Sequence, residues 1–199
     1  MKSMDSSLVV KKLKESINVK SKILSDRELI EKIKDSAELI VRALKKGKKV
    51  IFCGNGGSAA DAQHLAAELM GKFYFNRPPL PAFSLTVNTS VLTAIGNDFG
   101  YEKVFVRQLQ GIGEKEDVIV GISTSGDSKN VIEAFEYAKN IGMNVIAFTG
   151  KNGGKMKDYA DVLINVPSED TPRIQESHIT IGHIICEIVE RSLFNEVIE

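Results

Sequence analysis

A chain of 199 residues can build one α/β domain with a full core and is too short for two large ones. Its 26 Lys and Arg balance 26 Asp and Glu, so no basic field invites nucleic acid and no acidic tail is present. An anionic ligand must be held by local donors rather than drawn in by long-range steering.

Met1-Lys2-Ser3-Met4-Asp5 leads into a charged amphipathic segment without a signal-peptide core. No apolar run approaches the roughly 20 residues that span a bilayer, and a cytoplasmic protein with no membrane partner is the expectation. Two helices are predicted over residues 6–46, broken near 18–25. Glu28 follows Ser25 by three positions, the pattern of a capping box. Leu29, Ile30, Ile33, Ala37, Ile40, Val41 and Leu44 then recur at helical spacing. The first helix carries Leu8, Val9, Val10, Leu13 and Ile17, which pack either on the chain's own core or on a partner subunit.

From residue 48 the period changes. Strands are predicted over 49–53, 81–85, 117–122, 144–148 and 161–166. Helices are predicted over 59–70, 90–95, 102–110 and 128–141, and a long amphipathic helix over 173–194. Strands alternating with helices imply a parallel sheet covered on both faces. The fold class is α/β: a three-layer αβα sandwich with a five-stranded parallel, flavodoxin-like sheet, preceded by N-terminal helices. No repeat or linker divides it, so residues 1–199 read as a single domain, with 1–47 as helices packing on the core and on partner subunits. Cys53 and Cys186 lie in apolar contexts and read as reduced, buried thiols.

Ligands of such sheets bind beyond the carboxyl ends of strands, and two of those ends are distinctive. Ile119-Val120-Gly121-Ile122 runs straight into Ser123-Thr124-Ser125-Gly126-Asp127-Ser128 and then a helix. Backbone N–H groups and hydroxyls at a helix N-terminus make an anion site, and four hydroxyls without a lysine suit a sugar phosphate. An ordinary hydroxyl-rich N-cap is the alternative. Gly54-Asn55-Gly56-Gly57-Ser58 follows another strand. A dinucleotide fingerprint there lacks its ribose-binding acid, because Leu85-Thr86-Val87-Asn88 ends the second strand. The glycines instead allow close backbone approach to a sugar or its phosphate.

His64 and Glu68 stand four apart on one face of the next helix. Such a pair serves metal binding, proton transfer or a structural hydrogen bond. The last helix offers Gln175, Glu176, His178 and His183. Gln175 and His183 are separated by about 12 Å along the axis and some 80° around it, so spacing alone does not bring them together. His178 reads as structural or interfacial. Asn97-Asp98, near Gly96 and Gly100, reads as a turn or as a holder of sugar hydroxyls.

Taken in order, Cys53-Gly54-Asn55-Gly56-Gly57-Ser58, Gly96-Asn97-Asp98-Phe99-Gly100, Gly121-Ile122-Ser123-Thr124-Ser125-Gly126, Thr149-Gly150-Lys151-Asn152-Gly153-Gly154-Lys155-Met156 and Arg173-Ile174-Gln175-Glu176 resemble the sugar isomerase (SIS) family. Within it the match is to the phosphoheptose isomerases, which act on sedoheptulose 7-phosphate. That resemblance implies substrate binding by Asn55, Gly56, Gly57, Ser58, Asn97, Asp98, Ser123, Thr124, Ser125 and Ser128. It implies one zinc ion per subunit on His64, Glu68, Gln175 and His183, with Glu68 and Gln175 also touching substrate. It implies Glu68 and His183 as the acid–base pair of an aldose–ketose isomerisation, the first step of heptose biosynthesis for surface glycans. A homotetramer with interfacial sites is implied as well. The chain departs from the family at Lys72, where arginine is frequent, and at Pro172, where some members carry aspartate. Alternatives are an isomerase of another phosphosugar and a non-catalytic relative that binds the replication initiator. The latter proteins generally lack the residues found here as Glu68 and His183.

Overall fold

A computed structural model describes residues 6–194; the expected domain limits at 1 and 199, and the segment 1–5, lie outside the described residues. Strands β1 (Val50–Gly54) and β3 (Val118–Ile122) are buried at every position, so both faces of the sheet must be covered. With β2 (Ala82–Ser84), β4 (Asn144–Thr149) and β5 (Val162–Asn165) they form one parallel sheet of order β2-β1-β3-β4-β5.

Alternation along the strands splits the core in two. Val50, Phe52, Val118, Val120, Ile146 and Phe148 face one cluster, completed by helices α1 (Ser6–Ser25), α2 (Arg27–Lys45), α3 (Gly57–Met70) and α7 (Thr171–Phe194). Ile51, Cys53, Ile119, Val145 and Ala147 face the other, under α4 (Thr89–Phe99), α5 (Val106–Ile112) and α6 (Lys129–Asn140). The chain therefore leaves β1 toward one face and β3 toward the other, and the switch point lies between these neighbours. Gly54 pairs with Ile122, which starts the loops after β1 and β3 side by side.

Three local expectations are corrected. The break between α1 and α2 is one residue, Asp26, and not a segment around 18–25. Asp26, not Ser25, is the N-cap: its backbone is extended and its carboxylate accepts from the Leu29 N–H at 3.0 Å. Ser25 stays helical and donates to the Ser21 carbonyl. Asn97 and Asp98 lie in the last turn of α4 rather than in a turn between glycines. Gly100, at φ 90°, ends that helix, and Gly96 is absorbed within it.

Of the apolar residues on α1, only Val19 and Ile23 are buried; Leu8, Val9, Val10, Leu13 and Ile17 are 50–64 % exposed. The chain's own core does not take them. Both cysteines are free and buried, and burial pushes their thiols up to about 12.

His178 has no exposed surface, and its Nε2 donates to the Thr149 carbonyl at 2.9 Å. It is structural. Burial outweighs that bond and pushes the imidazole down to about 4. An unfolded histidine titrates near 6.5, so the stability tied to a neutral His178 is complete above that pH and is lost as pH falls toward 4. The loss is on the order of 3 kcal/mol. Urea unfolding across this window should therefore decline less steeply for His178→Gln than for the wild type; equal slopes would contradict the assignment.

Candidate functional site

Helix α3 starts at Gly57, directly after the loop at the end of β1, and packs beside α7. This juxtaposition is the event that sequence spacing could not supply. His64 Nε2 lies 3.0 Å from Glu68 Oε1, one turn along α3, and 2.8 Å from His183 Nε2 on α7. The His64 and His183 ring centroids are 4.9 Å apart, and the tilted Phe73 ring lies 5.8 Å from His183.

The potential ligand atoms of His64, Glu68 and His183 all lie within 4.8 Å of one another. Two imidazoles and one carboxylate form a donor set that suits zinc. Nitrogens at ordinary zinc–nitrogen distances in a tetrahedral arrangement stand about 3.3 Å apart, so a slight outward shift from 2.8 Å would admit the ion. Converging lone pairs with this spacing fit a metal. The fourth residue of the expected set, Gln175, places its carboxamide over the start of α3. A Cβ at Gly57 would come within 2.1 Å of Gln175 Nε2, so a larger residue there would displace the carboxamide.

The loop after β3 forms a network of hydroxyls. Ser123 Oγ lies 2.8 Å from Ser128 Oγ and 3.3 Å from Ser125 Oγ, while the Gly126 and Asp127 N–H groups donate to Ser123 and Ser125. Ser128 is the N-cap residue of α6, yet its side chain makes no capping bond. The hydroxyl is turned into the nest, which separates this loop from an ordinary capped helix start. Segment 149–156 forms the outer wall: Gly150 donates to Thr124 O, Met156 to Gly126 O, and Lys155 to Asp127 Oδ1. Gly126, at φ 72°, approaches Gly153 so closely that a Cβ would sit 2.3 Å from its carbonyl oxygen.

The glycine-rich loop is tied to this nest by side chains that sequence reading missed. Asn55 and Asn130 exchange two amide hydrogen bonds of 2.9 Å, and Tyr101 donates to Asn55 Oδ1 at 3.2 Å. Asn130 is only 3 % exposed on the buried face that carries Val131, Ala134 and Phe135. An asparagine at a core position was the available signal. Asp61 is a second such residue, on the buried face of α3 three positions before His64. Burial pushes its carboxyl up to about 6, against the pull of His64, and among the described residues Oδ2 has no hydrogen-bond partner.

Asn97 and Asp98 are exposed at the end of α4, where the Asn97 amide donates to the Asp98 carboxylate. Ser58 is buried at the start of α3. Lys72 is exposed after α3, and Pro172 occupies the first turn of α7, where the absent N–H costs no helical bond. No helix among the described residues is long and apolar enough to cross a membrane.

Comparison with known proteins agrees with this architecture. The SIS domain family matches residues 14–150. The phosphoheptose isomerase of Clostridium acetobutylicum is 56 % identical over 94 % of this chain and 95 % of its own length. A solved phosphoheptose isomerase from Neisseria gonorrhoeae superimposes with a TM-score of 0.87 at 46 % identity, covering 93 % of this chain and 98 % of that one. One from Francisella tularensis gives 0.90 at 36 % identity, covering 94 % and 100 %. With the family's match spanning most of the chain and its loops opening at the β1–β3 switch point, the chain belongs to the SIS domain family.

Proposed function

We propose that the chain is a phosphoheptose isomerase that converts sedoheptulose 7-phosphate into D-glycero-D-manno-heptose 7-phosphate through an enediol. The observation that carries this is the meeting of a carboxylate and an imidazole from two helices, Glu68 and His183, through His64. The names of its near relatives point the same way.

In the open-chain ketose, Glu68 removes a proton from C1 and returns it to C2. His183 gives a proton to the C2 carbonyl oxygen and takes one from the C1 hydroxyl as the aldehyde forms. These two roles move the protons that the rearrangement requires. His64, Glu68, Gln175 and His183 would hold a zinc ion, which would supply Lewis-acid polarisation of the carbonyl. Ser123, Thr124, Ser125 and Ser128 hold the phosphate. Asn55, Gly56, Gly57, Ser58, Asn97, Asp98 and Gln175 orient the sugar. Binding energy at the phosphate, remote from the reacting carbons, thereby positions C1 and C2.

Residues 1–199 act as one SIS domain in the cytoplasm, at the first step toward nucleotide-activated heptoses for lipopolysaccharide or other surface glycans. A ketose-phosphate panel tests the substrate. The highest kcat/KM is expected for sedoheptulose 7-phosphate, and equal or better turnover of a shorter ketose phosphate would overturn that choice.

The active form is a homotetramer with sites at subunit interfaces. Leu8, Val9, Val10, Leu13 and Ile17 are exposed on α1, and helical spacing puts the last four of them on one side, an apolar surface of the kind that marks a protein interface. Light scattering should give a tetrameric mass for the wild type and a smaller one for the double variant Leu13→Asp, Ile17→Asp. An unchanged mass would remove α1 from the interface.

A further inference from the structure

Glu190 follows His183 by seven residues on α7, so the two share a face of that helix about 10 Å apart. It is fully buried. Its Oε1 accepts from the Phe73 N–H at 3.0 Å and from Arg77 Nε at 2.7 Å, and its Oε2 from the N–H groups of Tyr74 at 2.7 Å and Phe75 at 3.3 Å. Burial alone would raise its pKa; these donors prevail and hold the carboxyl below the usual range.

Arg77 is equally enclosed, its side chain 2 % exposed. Nη2 donates to the Glu68 carbonyl at 3.0 Å, and Nη1 to the Leu69 and Gly71 carbonyls at 2.9 and 3.1 Å. A cation on the last carbonyls of a helix sits where the helix dipole favours it.

The pair joins three parts of the site without entering it. Arg77 grips the end of α3, which carries His64 and Glu68. Glu190 stands on α7, which carries His183. One of the three backbone N–H groups that Glu190 holds belongs to Phe73, whose ring lies against His183. Desolvation offsets much of the Coulomb gain of a buried ion pair, so stability alone is a weak reason for one. A set of directional bonds converging on one helix end and one loop serves geometry.

We propose that Glu190 and Arg77 are positioning residues that fix the α3 carboxylate and imidazole against the α7 imidazole. The proposal rests on the isomerase reading above. Lysine cannot replace Arg77, because one ammonium cannot reach Glu190 and several carbonyls at once as a guanidinium fork does.

The test uses Arg77→Lys and Glu190→Gln in the full chain. Folding is checked by circular dichroism, zinc affinity of the metal-free protein by competition with a chromophoric chelator, and kcat and KM with sedoheptulose 7-phosphate. Folded variants should bind zinc about 10- to 100-fold more weakly. Their kcat should fall with KM little changed, since the phosphate nest lies on other loops. Wild-type affinity and kcat in folded variants would overturn the proposal, as would failure of both to fold, which would make the pair a stability element. A wild-type protein that neither binds zinc nor turns over substrate would instead overturn the isomerase reading itself.

Discussion

Replacing Glu68 by Gln should abolish turnover of sedoheptulose 7-phosphate and leave the fold intact. The amide keeps the size of the side chain and an oxygen near His64 Nε2, now 3.0 Å from Oε1, but it has no lone pair basic enough to take a carbon-bound proton. Losing a general base lowers a rate by about 10²- to 10⁴-fold, and losing a carboxylate from the His64–Glu68–His183 donor set adds to that loss. Glu68 is only partly buried, so stability should change little; its carbonyl, which Arg77 holds, is untouched. The checks are kcat and thermal unfolding together. A variant with full activity would remove Glu68 from the chemistry.

Gly126→Val should disable the phosphate nest. Its φ of 72° disfavours any residue with a Cβ, and that atom would come 2.3 Å from the Gly153 carbonyl oxygen and 2.8 Å from the Gly154 nitrogen. Both contacts are with backbone, so no side chain can swing aside. Relief requires segment 149–156 to part from the nest, which breaks the Met156 N–H bond to Gly126 O and the Lys155 N–H bond to Asp127. The left-handed conformation alone costs about 1–2 kcal/mol for a side-chain-bearing residue, and the clash adds to it. KM should rise by well over tenfold, on the order of two lost charge-assisted hydrogen bonds at about 1.5 kcal/mol each, and stability should fall. An unchanged KM would mean that the phosphate binds elsewhere.

Much of this site was legible in the sequence because its parts are local. The hydroxyl loop and the glycine loop each occupy a few consecutive residues between a strand and a helix. His64 and Glu68 meet because four residues make about one turn. The structure adds what local pattern cannot hold. His183 reaches His64 across 119 positions only because α7 lies along α3. Asn130, Tyr101 and the Glu190–Arg77 pair act through contacts between segments far apart in the chain. Where reading went astray, the cause was also specific. Gly96 resembles a helix terminator, yet its helix continues to Phe99, so Asn97 and Asp98 leave from a helical turn. Ser25 competes with Asp26 for one cap, and backbone conformation decides for Asp26.

The most direct measurement is product formation from sedoheptulose 7-phosphate by the wild-type protein, with zinc added and with chelator present. The expected result is zinc-dependent conversion to an aldoheptose 7-phosphate, abolished by the chelator and restored by zinc. A well-folded, zinc-supplemented protein that leaves the ketose unchanged would contradict the assignment.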